Sequence, residues 1–265
     1  MIPEASQVRV TSAYGCELDY SNASCGYVMV KYTGPADYAL INVYNDKESN
    51  TFKVLNSQDY TALPLSYGSG IYRIGFYEPF LDTEKDAIYP VLESELMVNL
   101  GDEFLPYLYP NQMVWFSEES AAVAFGGELL NTSMTDHEVI IAVYDYITEV
   151  IAPDYQLERQ ILDGTVTDRI VVDVDTIYSE RSGVCLDYAV LMAAMLRSQQ
   201  IPTKLVFGYA NSGWHSWVSV YTPEDGWVSY DPTYAALVRN DNYLNYLFSF
   251  LVEDTTIAYK EVYVF

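Results

Sequence analysis

The first hundred residues alternate apolar and polar side chains with a period of two, the pattern of half-buried β-strands. Turn-forming stretches rich in Gly, Ser, Asn and Asp interrupt the pattern. The alternation predicts strands at five places: Tyr27–Tyr32, Tyr38–Tyr44, Thr51–Leu55, Ile71–Tyr77 and Tyr89–Leu100. We therefore expect a β-rich domain over residues 1–103, a small β-sandwich-like domain of immunoglobulin-like size.

The pattern changes after this domain. The segment 104–118 combines aromatic residues with Pro106 and Pro110 and predicts a linker. Helical spacing follows, with one candidate helix over Ser120–Leu130 and a second after Thr135. That second helix has a capping box formed with Glu138, which makes His137 a first-turn surface residue. Residues 119–265 are therefore expected to form a second domain.

The rest of this second domain mixes loops, a helix and strands. Residues 154–180 are expected to be loop-rich and to wall one side of a cleft. An Ala-, Leu- and Met-rich helix follows over Cys185–Arg197, with Ser182 as its expected N-cap. Thr203–Ala210 predicts a strand, and residues 217–230 predict a hairpin that turns at 222–226.

Three residues carry candidate chemistry: Cys185, His215 and Asp231, which lie 30 and then 16 residues apart. A thiolate can attack a carbonyl, an imidazole can move protons, and a carboxylate can orient the imidazole. The predicted helix places Cys185 in a first turn, where free N–H groups and the helix dipole favour a thiolate. The predicted hairpin returns Asp231 to the neighbourhood of His215.

The stretch Asp173–Tyr234 resembles the transglutaminase-like core domain of many bacterial secreted proteins. The matching motifs follow in the family's order: Gly183–Ala189, Leu196–Pro202, Gly208-Tyr209, His215–Trp217 and Asp231–Thr233. The visible departure is Ser216 where Ala is usual, which we expect to change little. The resemblance implies a papain-like α+β fold, with helices packed on an antiparallel sheet, and a Cys–His–Asp triad.

Several functions fit such a triad, because members of this family include amine-transferring enzymes, proteases, deamidating enzymes and inactive relatives. We expect cysteine-dependent acyl transfer on a peptide or amide, with water as acceptor, which makes the protein a protease or amidase. A transglutaminase that uses a primary amine is the first alternative. A non-catalytic cell-surface binding module that uses the fold as a scaffold is the second.

Side chains around the triad suggest a substrate wall. Trp214 and Tyr209 stand beside the predicted strand entrance, and Tyr178 could supply a second oxyanion donor through its hydroxyl. Asp187, two residues after the nucleophile, is expected to be structural and to cap the helix or pair with a base.

Composition limits the partners. The net charge of −24, from 37 acidic and 13 basic residues, argues against nucleic acid and against anionic membrane surfaces. No apolar stretch is long enough for direct membrane insertion of this chain. With two His and no ligand spacing, neither a metal nor another cofactor is expected. The expected partner is a peptide or protein substrate, and the oligomeric state stays open.

The remaining cysteines bear on location. Cys16 and Cys25 lie nine positions apart in a loop that glycines flank, and a disulfide between them would indicate an oxidising compartment. Two free thiols are the alternative. Together with a first segment typical of a mature protein, this predicts an extracytoplasmic location, secreted or surface-anchored. The export signal or lipid anchor is expected to be missing from the chain as given.

Overall fold

The computed structural model describes residues 2–79, 88–130, 133–167, 171–211, 213–239 and 258–265. The chain divides into two compact units, Met1–Gln112 and Met113–Phe265. The division falls inside the expected 104–118 linker.

The N-terminal unit holds two four-stranded antiparallel sheets. The first has the order β1-β2-β3-β6, and the second has the order β5-β4-β7-β8. The strands are β1 (Val10–Ala13), β2 (Cys16–Asp19), β3 (Tyr27–Tyr32), β4 (Tyr38–Asn45), β5 (Glu48–Leu55), β6 (Thr61–Pro64), β7 (Gly70–Pro79) and β8 (Ile88–Val98). In β4 every second residue is buried, which is the alternation expected of a sheet with one face in a core.

The five predicted strands are confirmed and correspond to β3, β4, β5, β7 and β8. The sequence pattern missed β1, β2 and β6, which have four residues each. A strand of that length holds too few alternations to be distinguished from a loop.

The expected linker is partly wrong. Residues Leu105–Tyr107 form a short 3-10 helix that belongs to the N-terminal unit. The Tyr107 hydroxyl is buried and donates a hydrogen bond to the Ser66 carbonyl at 2.6 Å. Tyr107 of the expected linker therefore packs into this unit, which extends to Gln112.

The expected disulfide is wrong, because Cys16 and Cys25 are both free thiols. Cys16 pairs with Tyr32 at one end of β3, whereas Cys25 lies two residues before Tyr27 at the other end. From Tyr27 to Tyr32 the strand advances by five residue steps, or about 17 Å. A disulfide needs Cα atoms within about 7 Å. The argument for an oxidising compartment is lost, and the extracytoplasmic location stays a prediction.

The C-terminal unit combines six helices and an antiparallel sheet among its described residues. The sheet has the order β13-β12-β11-β14, and β9 and β10 form a separate parallel pair. The elements are α1 (Ala121–Glu128), α2 (Asp136–Val150), β9 (Ala152–Pro153), α3 (Tyr155–Leu162), α4 (Val174–Glu180), β10 (Ser182–Gly183), α5 (Cys185–Ser198), β11 (Thr203–Ala210), β12 (Gly213–Thr222), β13 (Gly226–Tyr230), α6 (Pro232–Arg239) and β14 (Tyr259–Val264). The helix-and-sheet class is as expected.

Local signals explain several of these elements. The Thr135–Glu138 capping box that starts α2 is confirmed, and the β12–β13 hairpin turns where predicted. The loop-rich prediction for 154–180 is wrong, because α3 and α4 both lie in this segment. Each begins at an acidic N-cap, Asp154 and Asp173, whose carboxylate accepts hydrogen bonds from main-chain N–H groups.

Helix α5 is the centre of this unit. Every residue from Asp187 to Arg197 is buried, and the helix packs against α1, α2, α4, α6 and the strands β11 and β12. At its end, the fully buried Arg197 donates hydrogen bonds to the carbonyls of Thr203 and Phe265, each at 2.8 Å. The guanidinium thereby ties the helix to the sheet. No helix in the described ranges is long and apolar enough to cross a membrane.

Candidate active site

Cys185 is the first residue of α5, in the first turn as predicted. The expected N-cap is wrong, because Val184 takes that position and Ser182 pairs with Ala152 in the β9–β10 ladder. The carboxylate of Asp187 accepts a hydrogen bond from the Val184 N–H at 2.8 Å. Asp187 therefore holds the helix start, which is the structural role expected of it.

Gly183 is required beside this helix start. A Cβ at residue 183 would lie within collision distance of the Asp187 side chain. The Gly183–Asp187 pair of the motif thus fixes the turn that leads into Cys185. The N–H of Cys185 heads the helix, where an α-helix offers it no intrahelical acceptor.

His215 lies near the start of β12, opposite Gly208 of β11. Its Nε2 is 2.8 Å from Oδ2 of Asp231, which follows directly after β13. The hairpin thus brings the two residues together as predicted. With Nε2 on the carboxylate, Nδ1 is the ring nitrogen that remains for Cys185, and the imidazole acts against burial to lower the pKa of the thiol.

Asp231 is held by more than His215. Its Oδ1 accepts a hydrogen bond from the Tyr234 N–H at 2.9 Å, so that Asp231 caps α6, with Pro232 at the first helical position. Its Oδ2 also accepts a hydrogen bond from the Tyr259 hydroxyl at 2.8 Å. The Tyr144 hydroxyl of α2 donates to the Asp231 carbonyl at 3.3 Å. The carboxylate is therefore fixed in position before any substrate binds.

The pKa values of Cys185 and His215 shift in opposite directions. Burial acts to raise the pKa of the Cys185 thiol, but hydrogen bonds and the positive charge of His215 outweigh it and lower that pKa. Burial likewise acts to lower the pKa of His215, but Asp231 and Cys185 raise it well above its ordinary value. The arrangement favours a thiolate–imidazolium pair over the neutral pair near pH 7.

Ser216 follows His215 on β12 and also acts on the thiol. Burial acts to raise the pKa of Cys185, and the side chain and main chain of Ser216 act together with His215 to lower it. The Ser216 hydroxyl is buried, and among the described residues it has no hydrogen-bond partner. The expectation that Ser in place of Ala changes little stays a prediction.

The three substrate-wall candidates lie in two aromatic clusters. Trp214 is 52% exposed, and its ring lies 5.3 Å from that of Tyr209 and 6.4 Å from that of Phe207. Because strand side chains alternate, Trp214 points to the face of β12 opposite to His215. Tyr178 lies on α4, where its ring is 5.3 Å from that of Phe125. The roles of Trp214, Tyr209 and Tyr178 stay predictions.

Three residues of this site escaped the sequence analysis as functional candidates: Ser216, Tyr144 and Tyr259. Helix α6 was missed as well, although Asp231-Pro232 is a helix-start signal that could have revealed it. Tyr259 lies 28 residues after Asp231 and in no motif, so nothing local links it to the carboxylate. In the described residues, no group of three or more His, Cys, Asp or Glu side chains could hold a metal ion.

Known proteins resemble this part of the chain. Residues 124–232 match the family model of the transglutaminase-like superfamily. The chain is 38% identical over 74 residues, 23% of its length, to a protein-glutamine gamma-glutamyltransferase of Pseudomonas aeruginosa. It is 33% identical over 75 residues, 22% of its length, to the uncharacterized protein YebA of Bacillus subtilis. The chain covers only 11% and 10% of the lengths of these two relatives.

A solved structure adds a comparison at lower identity. The periplasmic domain of TgpA from Pseudomonas aeruginosa is 17% identical, with a TM-score of 0.39, over 91% of this chain and 99% of that chain. Members of the superfamily matched by residues 124–232 are in general cysteine-dependent enzymes. Cys185, His215 and Asp231 all fall inside the matched segment. Residues 124–232 of this chain are therefore a transglutaminase-like domain, homologous to a bacterial protein-glutamine gamma-glutamyltransferase.

Proposed function

We propose that the protein catalyses cysteine-dependent acyl transfer on a peptide or protein amide. Cys185 is the nucleophile, His215 is the general base and acid, and Asp231 orients the imidazole. One observation carries the proposal: His215 lies 2.8 Å from the Asp231 carboxylate and, against the effect of burial, lowers the pKa of the Cys185 thiol at the start of α5.

The first half of the reaction makes a thioester. The Cys185 thiolate attacks the amide carbon, and the N–H groups at the start of α5 stabilise the oxyanion that forms. The C–N bond then breaks while the His215 imidazolium gives its proton to the departing nitrogen. The products are an acyl group on Cys185 and a free amine or ammonia, and His215 is left neutral.

The second half removes the acyl group. Neutral His215 takes a proton from a water molecule, whose oxygen attacks the thioester carbon. The C–S bond breaks, the carboxylic acid leaves, and the thiolate–imidazolium pair is restored. With water as acceptor the protein is a protease or amidase, and this hydrolytic reaction is our first proposal.

Amine transfer is the second candidate, and a specific observation favours it. The 38% identical relative is named as a protein-glutamine gamma-glutamyltransferase, an activity in which a primary amine takes the place of water. The net charge of −24 is also compatible with a cationic amine near the site. The same residues perform both reactions, so the acceptor decides between them.

The test uses an unstructured, glutamine-bearing protein, incubated with the full chain in the presence and absence of a biotinylated primary amine. Peptide mass spectrometry separates four outcomes. Backbone cleavage or conversion of glutamine to glutamate supports hydrolysis, and incorporation of the amine supports transfer. Cys185→Ala is the matched control and should abolish each of them.

The fourth outcome is a wild-type protein that gives no product and no acyl group on Cys185 with this substrate or with a panel of acyl probes. That result would contradict the enzymatic proposal and favour a non-catalytic binding module. The partner would then be a bound protein rather than a substrate. Cell fractionation with antibody detection would test the predicted extracytoplasmic location independently.

A further inference from the structure

A single carboxylate oxygen of Asp231 has two donors. His215 Nε2 and the Tyr259 hydroxyl each lie 2.8 Å from Oδ2. Because both bonds end on one atom, they draw on the same negative charge. Tyr259 therefore acts on Asp231, the carboxylate that orients His215, and not directly on Cys185.

The fold holds Tyr259 firmly in this place. Tyr259 begins β14, where it pairs with Ala210 of β11. The preceding residue, Ala258, is bound on both sides by Asn211, whose N–H donates to the Ala258 carbonyl at 2.8 Å and whose Oδ1 accepts from the Ala258 N–H at 3.0 Å. Asn211 has a φ of 55°, a left-handed conformation that Asn tolerates in tight turns.

The Tyr259 ring makes a second contact with the site. Its centroid lies 4.9 Å from the ring of Trp217, which in turn lies 6.3 Å from the His215 ring. Trp217 is fully buried, while Tyr259 is 38% exposed. Tyr259 therefore covers the Trp217–His215 side with its ring and reaches Asp231 with its hydroxyl.

We propose that Tyr259 is a positioning residue in the proposed acyl transfer. It fixes the Asp231 carboxylate and limits how strongly that carboxylate holds the His215 imidazolium. The inference rests on the proposed function. It extends the site beyond the matched segment 124–232 to a strand near residue 260.

The physical reason lies in the proton that His215 must release. A general acid works best when its pKa is near the working pH, so an imidazolium held too tightly is a poor acid. The Tyr259 hydroxyl competes with His215 for the negative charge on Oδ2, so the carboxylate stabilises the imidazolium less than it would without Tyr259. The hydroxyl also prevents rotation of the carboxylate, which keeps the imidazole aimed at Cys185.

Other groups around the pair are accounted for. The titratable groups that face His215 and Asp231 come from four elements besides β12. They are Cys185 of α5, Tyr144 of α2, Tyr234 of α6 and Tyr259 of β14. The charge of Arg239 acts in turn on Tyr144. Among them, Tyr259 alone bonds to Asp231 Oδ2 beside His215 in the described part of the chain.

The experiment is an NMR titration of the His215 ring protons. The chain has two His, and the ring signals of His137 on α2 provide an internal check of folding. A Cys185→Ser background removes the thiolate, which otherwise titrates together with His215. In this background Tyr259→Phe is compared with Tyr263→Phe, a matched control on the same strand with 39% exposure against 38%.

We expect Tyr259→Phe to raise the pKa of His215 by about half a unit, a threefold change in its proton equilibrium. Tyr263→Phe should leave it unchanged. Replacement of Tyr259 by 3-fluorotyrosine, a stronger donor with the ring retained, should lower the pKa. This substitution also keeps the test decisive if Tyr259→Phe fails to fold. An unchanged or lower pKa in Tyr259→Phe, or a higher one with fluorotyrosine, would overturn the inference.

Failure of the proposed function gives a different result. In the wild-type chain, iodoacetamide labelling of Cys185 reports the thiolate directly. If its pH profile is that of an ordinary thiol and His215→Ala does not move it, the proposed function fails, and this inference with it. If the wild-type profile shows a thiolate at acidic pH while Tyr259→Phe leaves the pKa of His215 unchanged, only the inference fails.

Discussion

Each unit holds a thiol whose pKa is shifted, and the two shifts are opposite. Cys16 of the N-terminal unit lies on β2 with 1% exposure, where burial and the charge of Glu78 raise its pKa to about 12. Cys185 of the C-terminal unit is partly buried, and although burial acts to raise its pKa, His215 and Ser216 lower it. Burial by itself makes a cysteine inert, and an adjacent cation with hydrogen-bond donors is what makes a thiolate.

Tyrosine hydroxyls in the two units make two kinds of bond. In the N-terminal unit, the buried hydroxyls of Tyr72 and Tyr107 bond to main-chain groups and close loops around the sheets. In the C-terminal unit, the Tyr144 hydroxyl bonds to the main-chain carbonyl of Asp231, whereas the Tyr259 hydroxyl bonds to its carboxylate. Of these four tyrosines, Tyr259 alone bonds to a charged group of the site.

The largest expected effect comes from Cys185→Ala. It should abolish all turnover and all iodoacetamide labelling of residue 185, while Cys16 should stay unlabelled at mildly acidic pH because it is buried as the neutral thiol. The melting temperature should change by less than about 4 °C, since the substitution removes one small group. Peptide mapping after labelling, with a parallel thermal melt, measures both. Acid-pH labelling that persists at Cys16 would contradict the contrast between the two thiols.

Next in size is His215→Ala. Without the imidazolium, nothing offsets the effect of burial, and the pKa of the Cys185 thiol should rise by about two units. The thiolate fraction at a fixed acidic pH should then fall about a hundredfold.

The wild-type protein should lose activity on both sides of an optimum. Thiol reactivity should fall in acid as the pH passes below the lowered pKa of Cys185, and turnover should fall in alkali as the pH passes above the raised pKa of His215. Labelling and turnover measured against pH check the acid and the alkaline decrease. If His215→Ala leaves the labelling profile of Cys185 unchanged, His215 and Cys185 do not act as a pair.

Asp231→Asn should reduce turnover by about a hundredfold or more while it changes labelling less. The amide cannot serve as an anionic acceptor for both His215 and Tyr259, so the imidazole loses its orientation and part of its stabilisation. The thiol remains at the start of α5. The glutamine-bearing protein described above provides the turnover assay, and labelling is followed in the same samples. Equal losses in the two assays would argue that Asp231 supports the fold rather than the imidazole.

The smallest effect is expected from Ser216→Ala, which restores the residue that is usual in related domains. Without the Ser216 hydroxyl, one of the groups that lower the pKa of Cys185 is gone, and that pKa should rise by about half a unit to one unit. Ser219→Ala, a buried serine on the same strand, is the matched control and should have no effect. The labelling profile of Cys185 measures both, and identical profiles for the two variants would remove Ser216 from the site.

Local sequence determined the parts of this protein that depend on near neighbours. Strand alternation predicted five N-terminal strands, the capping box predicted the start of α2, and the spacing of His215 and Asp231 across a hairpin predicted their bond. The placement of Cys185 at a helix start followed from helix propensity in the same way. Each of these features is fixed by residues close together in the chain, where pattern and propensity act directly.

Tertiary structure decided the rest. The two N-terminal cysteines are kept apart by the register of β2 and β3, although nine positions in sequence permitted a bridge. Ser216 acts on Cys185 because α5 packs against β12, and Tyr259 reaches Asp231 because β14 pairs with β11. Contacts between distant segments depend on how whole elements pack, and no periodicity or short motif in the chain encodes them. The three candidate catalytic residues can therefore be identified from the sequence. The side chains that adjust their pKa values and orientation are brought to them only by tertiary packing.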